Sequence, residues 1–271
     1  EVCTRDVGDS DIARLCFDDE LRQFESDRVR FRTPSYSELN SRETATADPR
    51  PFLLEPDGEA TFGVIVVHGF LASPAEMHPL ATTLTRLGYV SLGARLRGHG
   101  TSPWDLHERR ISDWNESVIR AQQIMGLLVS KYVIVGFSTG GALALLRGVS
   151  PDDKLAGVVA VNPPMGFRDK RMHLIPFVNT ANEWVGRITG GDGVLPFQPN
   201  DSEHPDLNYA SIPVSSLHEL TRLANKVKEL APSVSVPTLI IQGADDPVVD
   251  PDGAKDLQAR LGGSDSRLLV V

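Results

Sequence analysis

Short runs of consecutive apolar, often β-branched residues alternate with longer stretches whose apolar positions recur every three or four residues. The short runs are 63–67, 89–94, 132–136, 157–161, 237–242 and 267–271, and each is strand-sized. Between them, 74–87, 112–130, 139–149 and 252–261 carry the helical period. In 112–130, Trp114, Val118, Ala121, Met125 and Leu128 fall on one face. Strands that are apolar throughout belong to a parallel sheet covered on both sides. Strand and helix in repetition predict an open α/β fold, a mostly parallel central sheet flanked by helices. Functional groups in such a sheet gather at the carboxyl ends of the strands.

Two stretches break the rhythm. At the start, 11–26 predicts a helix with Ile12, Leu15, Cys16, Leu21 and Phe24 as its apolar positions and Ser10 as its cap. Val29 and Phe31 alternate as in a short strand over 28–33, and 33–51 is rich in Ser, Thr, Pro and Glu, as in an exposed connector. Later, 162–236 holds no convincing central strand but clusters Met165, Phe167, Leu174, Phe177, Trp184 and Ile188 ahead of a helix over 215–230. An insertion of this length between sheet strands predicts a cap or lid. The expected organisation is an extension and connector over 1–50, a core over 51–161 and 237–271, and a cap insertion over 162–236.

The strongest chemical signal is Gly136-Phe137-Ser138-Thr139-Gly140, which follows one predicted strand and opens a predicted helix. Gly-x-Ser-x-Gly in that setting is a nucleophile elbow, a tight turn that lifts a serine hydroxyl above the sheet edge. Glycines flank the serine because side chains there would collide with the turn. The alternative, a phosphate loop, needs a lysine after the glycines, and none is present. An oxyanion hole needs two converging backbone N–H groups. Thr139, just after the serine, supplies one, and Phe70 in His68-Gly69-Phe70, after an earlier strand, supplies the other. His68 itself reads as structural. Gly243-Ala244-Asp245-Asp246-Pro247 follows the strand at 237–242, and a carboxylate there can orient an imidazole. Asp246 is the preferred candidate, with Asp245 left to order the loop. His99, in Arg97-Gly98-His99-Gly100 at another strand end, is a candidate pocket residue or a structural one. Met165, Phe167 and Trp184 are candidates for an acyl-chain wall.

Composition narrows the classes. Apolar residues are 41 % and charged residues 23 % of 271, which is globular composition. A net charge of −9 excludes general nucleic-acid binding, which needs a basic face. No apolar run reaches the ~18 residues of a membrane helix. Cys3 and Cys16 are the two cysteines, so a local bridge or two free thiols are both open. The chain begins at Glu1, which fits a removed secretory signal and favours an extracytoplasmic setting over a cytoplasmic one. No metal-ligand spacing is visible and no cofactor is expected. The sequence leaves the oligomeric state open.

These motifs resemble the α/β-hydrolase superfamily, and more narrowly bacterial carboxylesterases and monoacylglycerol lipases with a small cap. The resemblance rests on His68-Gly69-Phe70 with Ser73-Pro74 and Glu76-Met77, Leu96-Arg97-Gly98-His99-Gly100, Asp113-Trp114, Gly136 to Gly141, Tyr209 with Ile212-Pro213, and Gly243 to Val249. It implies a serine esterase acting on small acyl esters, with Ser138 as nucleophile, Asp246 as triad acid and the Phe70 and Thr139 amides as oxyanion hole. It also implies a triad histidine after the last strand. All seven histidines precede Asp246, so that residue is expected beyond Val271, in a chain that continues and covers a sheet face otherwise partly bare. The rival expectation is a non-catalytic binding protein on the same fold.

Overall fold

A computed structural model describes residues 8–166, 196–261 and 265–271. Seven strands form the main sheet: β1 (Phe52–Leu54), β2 (Phe62–Val67), β3 (Val90–Ala94), β4 (Lys131–Phe137), β5 (Leu155–Val161), β8 (Thr238–Gln242) and β9 (Ser266–Val270). Their order is β1-β3-β2-β4-β5-β8-β9. β1 runs antiparallel to β3, and all other neighbours are parallel. β6 (Phe197–Pro199) and β7 (Ser211–Pro213) form a separate antiparallel pair, so the 162–236 stretch adds no strand to the main sheet among the described residues.

The apolar runs are double-sided, as their patterning requires. From β2, Ile65 and Val67 enter the larger core cluster, while Val64 and Val66 enter a smaller cluster on the opposite face. The larger cluster is closed by α5 (Ile111–Leu128), α6 (Thr139–Val149), α7 (Val214–Leu230) and α8 (Pro251–Arg260). Trp114, Val118, Ala121 and Met125 of α5 are buried there, as their spacing predicts. Leu223, Ala224 and Val227 of α7 join the same cluster, so the far end of the 162–236 stretch packs with the core helices. The opposite face is covered by α3 (His78–Arg86) through Ala81 and Leu84. On that face Val133, Val135, Val159, Val161, Leu239 and Ile241 are half-buried.

The N-terminal stretch departs from its sequence reading. The helix expected at 11–26 is present, but α1 (Asp9–Arg30) is capped by Gly8, not Ser10, and continues over 28–30, and no strand forms at 28–33. Its buried face is Ala13, Phe24 and Asp27, with Phe31 closing the end, and it packs on α5. Leu15 and Val29 point outward. The inward row steps by three and four through polar positions, which hides it from a count of apolar residues. Cys16 is an exposed free thiol; Cys3 lies outside the described residues. The connector that follows contains α2 (Ser37–Asn40) and is tied down: Asn40 donates to the Phe31 carbonyl and accepts from Ser102.

Asp27 is the polar centre of this docking. It is 4 % exposed and receives Arg95 at 2.9 Å, Arg97 at 3.2 Å and Arg109 at 3.5 Å, with Arg109 also bonded to Asp105 of α4 (Pro103–Glu108). Burial alone would raise the Asp27 pKa. The Arg95 hydrogen bond and the three positive charges outweigh it and hold the carboxyl below the ordinary 3.8. Removing one partner of a buried pair strands the others, so Asp27→Asn should cost about 3–5 kcal/mol of unfolding free energy. Urea transitions with an unchanged slope would show this as a shifted midpoint. Because the folded carboxyl titrates below its unfolded value, this stability is complete above the unfolded pKa and is lost as pH falls through the folded one. The gap between wild type and Asp27→Asn should therefore hold near neutrality and close on acidification; a gap that widens in acid contradicts the assignment.

Candidate active site

The carboxyl ends of the parallel strands bring five loops to one edge of the sheet. Those after β2, β3, β4, β5 and β8 carry, respectively, His68 to Ser73, Arg95 to Ser102, Ser138, Asn162, and Gly243 to Val249.

Ser138 sits in the turn between β4 and α6 at φ 50° and ψ −113°, a backbone conformation that non-glycine residues rarely hold. The turn is clamped at both ends. Ser138 N–H donates to the Val161 carbonyl at 2.7 Å, and the Ser138 carbonyl accepts from Ala142 at 3.1 Å. The flanking glycines are forced by backbone contact. A Cβ on Gly136 would lie 2.1 Å from the Gly140 carbonyl carbon, and one on Gly140 would lie 2.2 Å from the Val67 carbonyl oxygen. The Ser138 side chain is half-buried, and among the described residues its hydroxyl makes no hydrogen bond.

Thr139 is the first residue of α6, where the backbone N–H has no acceptor within the helix. The Phe70 N–H is likewise without an acceptor among the described residues. The loop that carries Phe70 is held in detail. Gly69 N–H donates to Glu76 Oε2 at 2.7 Å. The Leu96 N–H reaches His68 Nε2 at 3.2 Å, and an amide can only donate, so Nε2 is the acceptor and the ring proton is on Nδ1. That proton goes to the Gly69 carbonyl, 2.8 Å away. The next residue, Leu71, is held at φ 66°, with its carbonyl accepting from the Tyr209 N–H. The Tyr209 hydroxyl accepts from Thr101 N–H at 2.7 Å and donates to the Gly98 carbonyl at 3.0 Å, joining the loops after β2 and β3.

His68 and His99 are both fully buried, with ring centroids 5.1 Å apart. Burial pushes His68 down to about 4 and His99 well below its ordinary value, so both imidazoles are neutral near pH 7. His99 packs behind Phe70 and against Trp114. It is thus an internal support of the Phe70 loop; burial keeps it from lining an open pocket. Met165 is 2 % exposed and belongs to the main core cluster, against the expectation of an acyl wall. Phe167 and Trp184 lie outside the described residues.

After β8, Asp246 is half-buried and its Oδ1 accepts from Val248 N–H at 2.8 Å and Val249 N–H at 2.7 Å. Oδ2 carries no such bond among the described residues. Asp245 is exposed. Asn162, which the sequence did not single out, ties this loop to β5: at φ 45°, its Oδ1 accepts from the Gly243 N–H at 2.8 Å. A polar residue ending an apolar strand was its one visible signal. Among the described residues, no group of three or more His, Cys, Asp or Glu is placed to hold a metal ion, and no helix is long and apolar enough to cross a membrane.

Comparison with known proteins agrees with this architecture. The profile of the hydrolase family described as serine aminopeptidase, S33, matches residues 58–271. The thermostable monoacylglycerol lipase of Bacillus sp. strain H-257 is 31 % identical over 71 % of this chain and 73 % of its own. A carboxylesterase of Bacillus subtilis is 21 % identical over 81 % of this chain and 85 % of its own. A solved structure from the metagenome-derived lipolytic enzymes LipS and LipT superposes with a TM-score of 0.72, at 25 % identity over 84 % of this chain and 89 % of that one. A profile match from 58 to the last residue, on a parallel sheet whose strand ends carry the Ser138 turn, makes this chain a member of the S33 hydrolase family within the α/β-hydrolase superfamily.

Proposed function

We propose that this protein hydrolyses carboxylic esters through an acyl-enzyme on Ser138, with monoacyl esters of short to medium chain as substrates. The observation that carries the reading is the strained Ser138 turn standing beside a helix-start amide, Thr139, that has no acceptor within its helix. A monoacylglycerol lipase and a carboxylesterase among the relatives support the substrate class.

In this reading the Ser138 oxygen bonds to the acyl carbon as its proton passes to a histidine. Negative charge gathers on the former carbonyl oxygen, and the Phe70 and Thr139 amides stabilise it there. The carbon–oxygen bond to the alcohol then breaks, and the histidine returns the proton to the leaving alcohol. Water repeats the sequence on the acyl-serine, releases the acid and restores the hydroxyl. The chain order Ser, Asp, His gives the base role to neither His68 nor His99, whose burial disfavours an imidazolium. Asp246 is the carboxylate that orients the base: one oxygen is anchored by its own loop and the other is left to accept. The reading needs no metal or organic cofactor.

A fluorophosphonate probe should label the wild-type protein and leave Ser138→Ala unlabelled; equal labelling of both would move the nucleophile elsewhere. Asp246→Asn should lower kcat by about 10⁴-fold. Asp245→Asn should cost less than about tenfold, because the exposed Asp245 carboxylate makes no hydrogen bond among the described residues. The reverse ranking would exchange the two assignments. Across p-nitrophenyl esters of increasing chain length, kcat/KM should peak at short to medium acyl groups and exceed that for aminoacyl p-nitroanilides. A preference for the anilides would replace the esterase reading with a peptidase one.

A further inference from the structure

An oxyanion hole works by having its donors aimed before the charge arrives. In this chain one proposed donor, the Phe70 N–H, follows a glycine, the residue with the most backbone freedom. A larger residue there would crowd its neighbours. A Cβ on Gly69 would lie 3.1 Å from the Phe137 ring and 3.3 Å from Glu76 Oε2. Two side chains restore the rigidity that glycine gives up. His68 Nδ1–H holds the Gly69 carbonyl, and Glu76 Oε2 holds the Gly69 N–H. One fixes the peptide plane after Gly69 and the other the plane before it. A trans peptide points its C=O and N–H in opposite directions. With the Gly69 carbonyl turned into the His68 ring, the Phe70 N–H must project the other way, where it has no acceptor among the described residues.

We propose that Glu76 is a positioning residue for the oxyanion hole, its carboxylate locking Gly69 so that the Phe70 amide stays aimed at the developing charge. The inference rests on the Ser138 reading above and extends it to Glu76, seven positions after Gly69, the residue whose N–H it binds.

Glu76 is well mounted for this. It lies on a 3-10 turn, Pro74–Met77, that begins with a proline and whose Met77 is buried against Val64 and Val66. The Glu76 N–H is itself bonded to the Ser73 carbonyl at 3.0 Å. Burial draws the carboxyl away from water and raises its pKa, so solvent competes weakly for the Gly69 bond. What the loop needs from residue 76 is an acceptor at that point in space, and charge is secondary.

The experiment compares kcat and KM on one p-nitrophenyl ester for wild type, Glu76→Leu, Glu76→Gln and Ser138→Ala, with thermal midpoints for each. Glu76→Leu keeps the bulk but removes the acceptor; kcat should fall by about 10²-fold, the scale of a misplaced catalytic donor. KM should stay within about twofold, because ground-state binding is untouched. Glu76→Gln keeps an acceptor oxygen and should recover kcat to within about threefold of wild type. A folded Glu76→Leu with wild-type kcat overturns the inference, as does a Glu76→Gln that is as slow as Glu76→Leu. If Glu76→Leu does not fold, Glu76→Gln decides alone: recovery supports the acceptor role, and a loss of about tenfold or more overturns it. Wild-type turnover in Ser138→Ala would overturn the nucleophile reading itself, an outcome separate from any result at Glu76.

Discussion

The close approach of α6 to the ends of β2 and β4 is the constraint on which the rest of the site depends. Where side chains would stand at Gly136 and Gly140 there is backbone instead, at 2.1 Å and 2.2 Å. That contact lets the chain turn from strand to helix within the space of Ser138, and it forces Ser138 into its unusual φ and ψ. It also seats the first turn of α6 against the end of β2, so that the Thr139 amide and the loop carrying Phe70 share one corner. The strain at Ser138 is over-determined by bonds on both sides, to Val161 and to Ala142.

Around that corner several polar side chains hold backbone. His68 grips the Gly69 carbonyl and the Leu96 amide, Tyr209 grips Thr101 and Gly98, and Asn162 grips Gly243. None of these side chains is free to do chemistry of its own. They replace the regular hydrogen bonds that loops lack, and they do so at the edge where five loops meet. Preorganisation here is a property of this side-chain-to-backbone lattice as much as of the sheet beneath it.

The sheet, its order of strand and helix, and the Ser138 turn were legible because each rests on local signals: apolar runs, helical period, and glycines at fixed spacing. Failures came where the informative contact is long-range. The helix at 11–26 was legible, but its extension to Arg30 and its inward face were not, because that face contains Asp27, and a buried carboxylate looks like a surface residue until its arginine partners, 68 or more positions away, are known. Of the two readings open for His99 at its strand end, packing on Trp114 decides for the structural one, and Met165, expected in an acyl wall from its place in an apolar cluster, is drawn into the main core instead. A strand's end tells which edge a residue occupies and leaves open the layer in which it lies.

The arginine cluster around Asp27 has a consequence for how this sequence can change over time. Arg95 and Arg97 belong to the same loop as His99, and Arg95 also reaches the His99 carbonyl. A neutral residue at 27 would leave that loop with two inward-facing cations and one fewer anion. A change at 27 calls for compensating changes at 95, 97 or 109, so these positions should covary across relatives that keep α1. Relatives that lack the helix should carry uncharged residues at 95 or 97, or an acid supplied from another part of the chain. The N-terminal helix and the loop beneath the site are thus bound into one electrostatic unit.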